Sequence, residues 1–265
     1  MDEMINKIGI GEIFFLIAGN CVVEDEKTTF ETAEYLKNLC EKLKLPLIYK
    51  SSYRKANRTS GKSFASIGDD EAIAILEKVR TKFDLPVLTD IHETNEIELA
   101  KNIDVLQIPA FLCRQTELIR AAAATGKWVN IKKGQFLSPE NMKEAAEKGV
   151  GENGKKIMLT ERGTTFGYNN LVVDFRSIEI MRSFGYPVVY DATHSVQRPG
   201  GMGTYSGGDK QFIVTLARAA AAVGIDGLFV ETHPEPSRAK SDAATQLPLD
   251  QMPRLLKQIL EIIGK

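Results

Sequence analysis

Three cysteines among 265 residues, Cys21, Cys40 and Cys113, are too few and too scattered for a disulfide framework, and they fit a reducing compartment. Apolar residues never run uninterrupted for about 18 positions, so no membrane-spanning helix is expected. The N-terminal stretch MDEMINKIGIGE has no basic segment leading into a long apolar one, so no signal peptide is expected and the protein reads as cytoplasmic. Neither sign of charge dominates: 34 Lys+Arg stand against 35 Asp+Glu, for a net charge of −1. That balance excludes wholesale binding to nucleic acid or to an anionic membrane, and any anion site must come from local clustering. Glycine, serine and proline nowhere concentrate into a linker, and there is no low-complexity segment, so residues 1–265 are expected to form one domain. No Walker-type loop and no dinucleotide fingerprint is present.

What is present is ordinary globular composition, 43% hydrophobic and 26% charged, with a regular rhythm. Short apolar, β-branched runs recur at 13–19, 47–52, 86–90, 105–110, 128–133, 156–161, 187–194 and 227–233. Near-continuous apolar runs suit parallel strands covered on both faces. Between them lie helical patterns at 26–43, 69–83, 94–101, 114–126, 174–184 and 248–263. In the first, Phe30, Ala33, Leu36, Cys40 and Leu43 share one face, which makes Cys40 a core residue. Gly126 suits a helix end, and Pro253 suggests an early turn or kink. Strand and helix alternate in eight units of roughly 31 residues, the size of a (β/α)₈ TIM barrel of about 250 residues. A short segment, 1–12, precedes the first strand. A doubly wound sheet would need no contact between first and last strands.

In such a barrel, chemistry belongs at the C-terminal ends of the strands. Cations gather there: Lys50, Arg54, Lys55, Arg58 and Lys62 around strand 2, Arg114 after strand 4, Lys132 and Lys133 ending strand 5, and Arg162 after strand 6. In a near-neutral chain this set, with Asn57, Thr59 and Ser60 beside it, suits a multiply anionic ligand. The glycine-rich stretch RPGGMGTYSGGDK, 198–210, could form a lid. Closure would also bring Cys21, His194, Glu231 and Asp242 to one sector of the rim. Thiolate, imidazole and carboxylate suit a divalent transition metal and do not choose among Zn, Fe(II) and Mn. His92, His233 and Cys113 compete as ligands, and His194 could instead be a general base.

The stretches IAGNC, KSS with KANRTS, TDIHE, QIPAFLCRQT, NIKKGQF, LTERGTTFGYNNLVVDFRS, DATHSVQ, and ETHPEP with SDAATQLPL closely resemble those of the 3-deoxy-D-manno-octulosonate 8-phosphate synthase family. The resemblance spans nearly the whole chain. It implies a (β/α)₈ barrel, usually a homotetramer, that condenses phosphoenolpyruvate with D-arabinose 5-phosphate and water and releases phosphate. It further implies a bisphosphorylated hemiketal intermediate and a product that feeds lipopolysaccharide synthesis. The family divides into metal-dependent and metal-independent classes, the latter with asparagine at the position of Cys21. The resemblance therefore places this chain in the metal-dependent class, with Cys21, His194, Glu231 and Asp242 as ligands.

Other implied roles follow from matching positions. Lys50, Lys55, Lys132 and Arg162 surround phosphoenolpyruvate, with Lys132, Cys21, His194 and Asp242 in the catalytic centre. Asn57, Arg58 and Thr59 hold the sugar phosphate. Ser52, Asp90, Gln107, Ala110 and Asp191 belong to the pocket, and Arg114 reaches a neighbouring subunit's site. The chain departs from the family pattern twice: Asn20 stands where proline usually precedes the cysteine, and Ala65-Ser66 stand where Arg-Gly is usual. The alternative is 3-deoxy-D-arabino-heptulosonate 7-phosphate synthase, which uses erythrose 4-phosphate; its motif resembles KPRTS, whereas KANRTS favours the five-carbon sugar. A Schiff-base aldolase using Lys132 or Lys133 is a further rival.

Overall fold

A computed structural model describes residues 5, 7–58, 61, 63–150, 156–200 and 207–264. Its eight barrel strands are β1 (Phe15–Gly19), β2 (Leu47–Lys50), β3 (Val87–Asp90), β4 (Val105–Ile108), β5 (Trp128–Lys132), β6 (Ile157–Glu161), β7 (Val188–Asp191) and β8 (Gly227–His233). All pair in parallel with their sequence neighbours, and β8 returns to pair with β1 from Phe15↔Gly227 to Gly19↔Glu231. The ring is therefore closed, and the doubly wound alternative falls. The intervening helices are α1 (Glu26–Leu43), α2 (Asp69–Phe83), α3 (Glu96–Leu99), α4 (Thr116–Ala124), α5 (Met142–Lys148), α6 (Arg176–Arg182), α7 (Ile213–Val223) and α8 (Met252–Ile262). Fold and sequence pattern together are those of a TIM barrel.

Strand alternation explains where the core lies. Inward residues Phe15, Ile17, Ile48, Leu88, Val105, Trp128, Met158, Val189 and Phe229 form one cluster inside the cylinder, closed from below by Ile5 and Ile8. Outward residues such as Leu16, Ala18, Leu47, Leu106, Val129, Ile131 and Leu159 join the helices in the larger cluster. Burying a side chain of this size contributes about 1.5–3 kcal/mol, so both shells must fill for the ring to hold. β1 and β2 approach closely at Gly19, where an added Cβ would sit 2.1 Å from the Lys50 carbonyl oxygen.

Most element ends have local causes. Asp25 starts α1 by accepting a hydrogen bond from the Thr28 N–H at 2.7 Å, and Lys44 ends it in a left-handed turn at φ 52. Cys40 lies in the core, as its helical spacing predicts. Gly126 closes the turn after α4 at φ 73. The 105–110 run stops at Ile108 because Pro109 cannot donate to the ladder. The 187–194 run stops at Asp191, since Asp191 accepts from the backbone N–H groups of Thr193 and His194 and folds the chain into a 3₁₀ turn at His194–Val196. His194 therefore follows strand β7 rather than ending it. The last helix starts at Met252, after a 3₁₀ turn at Leu249–Gln251, with Pro253 in its first turn. Part of the glycine-rich stretch, 201–206, lies outside the described residues.

Candidate active site

The inward parity that fills the core continues upward and changes chemistry. One step above Ile48 stands Lys50, above Leu88 Asp90, above Val105 Gln107, above Val189 Asp191 and above Phe229 Glu231. On β5 and β6 the apolar inward residue is lower, so Lys132 and Arg162 come two steps above Trp128 and Met158. These side chains, Asp191 excepted, line a cavity of about 550 Å³ that ends the barrel's interior.

The cavity brings together nearly all of the candidate residues. Lys50, Ser52, Lys55, Asn57 and Arg58 form one wall, and Asp90, Gln107 and Ala110 continue it. Lys132, Arg162, His194, Glu231 and Asp242 face them. Thr59 and Lys62 lie outside the described residues. Arg114 is exposed and outside the cavity of its own chain, with its carbonyl accepting from Lys148 Nζ at 3.0 Å. Asp191 does not line the cavity but stands directly behind Lys132 and His194.

At the β1–β8 seam Cys21, Glu231 and Asp242 place their ligand atoms within 4.8 Å of one another. The Cys21 Sγ is 3.1 Å from Ser241 Oγ and 3.4 Å from Asp242 Oδ2. His194 falls outside that mutual 4.8 Å group but stands next to it, its Nε2 being 3.6 Å from Glu231 Oε1 and 3.9 Å from Asp242 Oδ2. Asp191 Oδ2 lies 2.7 Å from His194 Nδ1. Burial would raise the Asp191 carboxyl, but His194 and Lys132 hold it well below the usual carboxylate range, so it stays ionised. With Asp191 on Nδ1, the ring presents Nε2 to the two carboxylates, an arrangement typical of metal-ligating histidine. Glu231 Oε2 is buried without a hydrogen-bond partner. One orphaned carboxylate oxygen, a second carboxylate, an imidazole nitrogen and a thiol converging in this way fit a divalent cation. Asp242 reaches the group from a left-handed conformation at φ 47, with its carbonyl accepting from the N–H groups of Thr245 and Gln246.

The rival ligands are engaged elsewhere. His92 has Asp90 Oδ2 and Glu96 Oε2 3.2 Å from its two ring nitrogens. Burial would lower its pKa, yet the hydrogen bonds with Asp90 and Glu96 raise it to about 9. His233 Nδ1 accepts from the Glu235 N–H at 2.9 Å, and its Nε2 faces Glu24 at 3.7 Å. Cys113 is buried beneath the loop after β5, against Gly134.

The cation wall is held by buried partners. Lys50 Nζ donates to Glu231 Oε1, and Lys132 Nζ pairs with Asp191 over the Phe229 ring, 3.5 Å from its centroid. Burial lowers the Lys132 ammonium to about 8 although Asp191 faces it. Arg162 gives Nη2 to Gln197 Oε1 at 2.8 Å and keeps Nη1 buried without a partner. An unpartnered guanidinium nitrogen beside a lysine suits a carboxylate or phosphate.

The two departures from the expected pattern have structural explanations. Asn20 accepts from the Tyr49 hydroxyl at 2.7 Å and donates to Thr32 Oγ1 at 3.2 Å, tying β1 to β2 and α1 outside the site. Ala65 accepts from the Lys55 N–H at 2.9 Å, and the Ser66 hydroxyl donates to the Tyr53 carbonyl at 2.9 Å, so that the second loop is held by its backbone. Sequence reasoning missed Lys240, Ser241, Gln135 and Gln197, which also line the cavity. Gln135, Gln197 and Ser241 sit inside stretches already singled out (NIKKGQF, DATHSVQ and SDAATQ), which was the available signal.

Fold and site define a class: a (β/α)₈ protein with a cation-lined cavity beside a cluster of thiol, imidazole and carboxylate side chains. The sequence pattern of the DAHP synthetase I family matches residues 3–263, and the chain belongs to that family. It is 55% identical over 263 residues to the 2-dehydro-3-deoxyphosphooctonate aldolase of Burkholderia cenocepacia, covering 97% of this chain and 93% of the relative. The same-named protein of Paraburkholderia phymatum is 56% identical over the same length and coverage. That of Bordetella petrii is 55% identical over 262 residues, covering 96% of this chain and 92% of the relative. Among the described residues, no helix is long and apolar enough to cross a membrane.

Proposed function

We infer that the protein condenses phosphoenolpyruvate with D-arabinose 5-phosphate and water, giving 3-deoxy-D-manno-octulosonate 8-phosphate and inorganic phosphate. The carrying observation is more than half identity, over nearly the whole length of both chains, to proteins named for this eight-carbon keto acid phosphate. The carbon count agrees, three from phosphoenolpyruvate and five from the sugar. The methylene carbon of phosphoenolpyruvate bonds to the sugar's aldehyde carbon, water adds to the former enol carbon, and the phosphate leaves from that carbon.

The residues divide the work. Lys132 and Arg162, with Lys55, neutralise the phosphoenolpyruvate carboxylate and phosphate, and so let two polyanions approach each other. Asn57 and Arg58, farther along the second loop, receive the sugar phosphate. Asp90 Oδ1, buried without a partner, is free to accept from a sugar hydroxyl. Asp191 fixes the orientation of Lys132 and His194 from behind. We place the chain in the metal-dependent class, with Cys21, His194, Glu231 and Asp242 holding a divalent ion of zinc, iron(II) or manganese. Bound there, the ion supplies Lewis acidity for orienting the aldehyde or the water. We further propose one catalytic domain assembled as a homotetramer in the cytoplasm, with Arg114 extending from one subunit toward another's cavity.

The test is phosphate release from phosphoenolpyruvate with either sugar. Arabinose 5-phosphate should be preferred over erythrose 4-phosphate by at least about 10²-fold in kcat/KM, corresponding to roughly 3 kcal/mol. Equal or reversed preference would transfer the chain to the heptulosonate reaction. Borohydride trapping should leave Lys132 and Lys133 unmodified in the presence of substrate; a trapped adduct would favour Schiff-base chemistry.

A further inference from the structure

Strands β5 and β6 run out into doublets of ionisable residues, Lys132-Lys133 and Glu161-Arg162. Alternation splits each doublet. Lys132 and Arg162 point inward and line the cavity. Lys133 and Glu161 point outward, where their side chains are 0% and 1% exposed. The same outward file carries Val129, Ile131, Ile157 and Leu159 lower down, all in the apolar shell under the helices. Two charges at its top are therefore out of place on packing grounds.

Their contacts are specific. Lys133 Nζ donates to Thr164 Oγ1 at 2.9 Å and to the Leu137 carbonyl at 3.3 Å, and stands 3.6 Å from Glu161 Oε1. Glu161 Oε1 accepts from the Gly163 N–H at 2.6 Å, and Oε2 accepts from Ser177 Oγ at 2.5 Å. The pair thus joins the loop after β5, the turn after β6 and helix α6. The Thr165 N–H, donating to the Gln135 carbonyl at 2.9 Å, extends the seam to a cavity-lining residue. Glu161 grips the backbone immediately beyond Arg162, where Gly163 turns at φ 92. A buried ion pair is a poor source of stability compared with an apolar pair of similar size, whereas a lone buried charge is costly. A carboxylate without Lys133 would also face its neighbour Arg162.

We propose that Lys133 and Glu161 are positioning residues for the anion site. Glu161 fixes the turn that aims Arg162 into the cavity, and Lys133 cancels the Glu161 charge so that Arg162 and Lys132 keep theirs for the substrate. The proposal rests on the inferred role of Lys132 and Arg162 as receivers of phosphoenolpyruvate.

The experiment measures kcat, KM for phosphoenolpyruvate and calorimetric Kd for inorganic phosphate in the full-length wild type, Lys133→Met, Glu161→Gln and the double variant. Lys133→Met, which leaves the carboxylate uncancelled, should weaken phosphate binding and raise KM by about three- to tenfold, with kcat changed by less than about twofold. Adding Glu161→Gln to it should restore both affinities to within about twofold of wild type, a strongly non-additive result. Glu161→Gln alone, whose amide oxygen can still accept from the Gly163 N–H and hold the turn, should not weaken phosphate binding. A pair that serves stability only would give losses that follow the melting temperature, with the double variant no better than Lys133→Met and with Glu161→Gln weakened alike; those results overturn the proposal. If Lys133→Met does not fold, the other two variants still decide, since either one binding phosphate markedly worse than wild type overturns it. A wild type that binds phosphate but shows no turnover would remove the proposed reaction alone, and the phosphate affinities would still support or overturn the pair's role.

Discussion

The lower and upper halves of the barrel interior are built on the same strands and the same parity, yet they do opposite things. Below, Phe15, Ile17, Ile48, Trp128, Met158 and Phe229 exclude water and close the ring. Above, Lys50, Asp90, Lys132, Asp191 and Glu231 are buried in paired arrangements of charge-bearing side chains that a folding argument alone would not choose. Placing charges there costs desolvation energy, and each is matched to a partner: Lys50 to Glu231, Lys132 to Asp191, and Asp90 to His92. The lesson is a division of labour along one axis. The apolar half supplies the rigidity that lets the polar half hold charges close to neutralisation but not completely satisfied, as Arg162 Nη1, Asp90 Oδ1 and Glu231 Oε2 show.

That contrast can be broken from either side. Among substitutions, the largest effect on catalysis should come from Lys132→Met, with kcat/KM for phosphoenolpyruvate falling by about 10²–10³-fold. Its melting temperature should move little, because Asp191 keeps His194 as a partner; steady-state kinetics beside a thermal melt check both. Met158→Ala, two steps below Arg162 on the same strand, should do the reverse. It should lose about 2–5 kcal/mol of stability in urea denaturation, with KM within about twofold of wild type.

A smaller effect sharpens the boundary between the halves. His92 is raised from 6.5 to about 9 by Asp90 and Glu96, against the effect of burial. Its contribution to stability is therefore fully present below pH 6.5 and lost as the pH rises through about 9. The wild type should lose about 2–3 kcal/mol across that window, and His92→Gln should flatten this part of the stability profile. An unchanged slope in the variant would assign the dependence to another group.

The barrel was legible because its strands announce themselves as apolar runs, and the helices at 26–43 and 69–83 have the predicted bounds. The cluster of Cys21, Glu231 and Asp242 was legible only through closure, since nothing in residue spacing joins position 21 to positions 231 and 242. What stayed hidden depends on side-chain direction. Lys132 and Lys133 look equivalent in sequence, yet one faces the cavity and the other faces Glu161. Asp191 reads as a pocket residue, yet it works from behind by holding His194 and Lys132. Lys240 carries no motif of its own and enters the cavity wall only because the β8–α8 loop folds back over it.

The central claim is that Cys21, His194, Glu231 and Asp242 hold a divalent cation required for turnover. Phosphate release from phosphoenolpyruvate and arabinose 5-phosphate should be measured before exhaustive chelation, after it, and after adding zinc, iron(II) or manganese back, with metal content followed by elemental analysis. The account predicts loss of activity by about 10³-fold on removal and recovery with at least one of the three ions. Undiminished turnover by protein verified to contain no metal would contradict it.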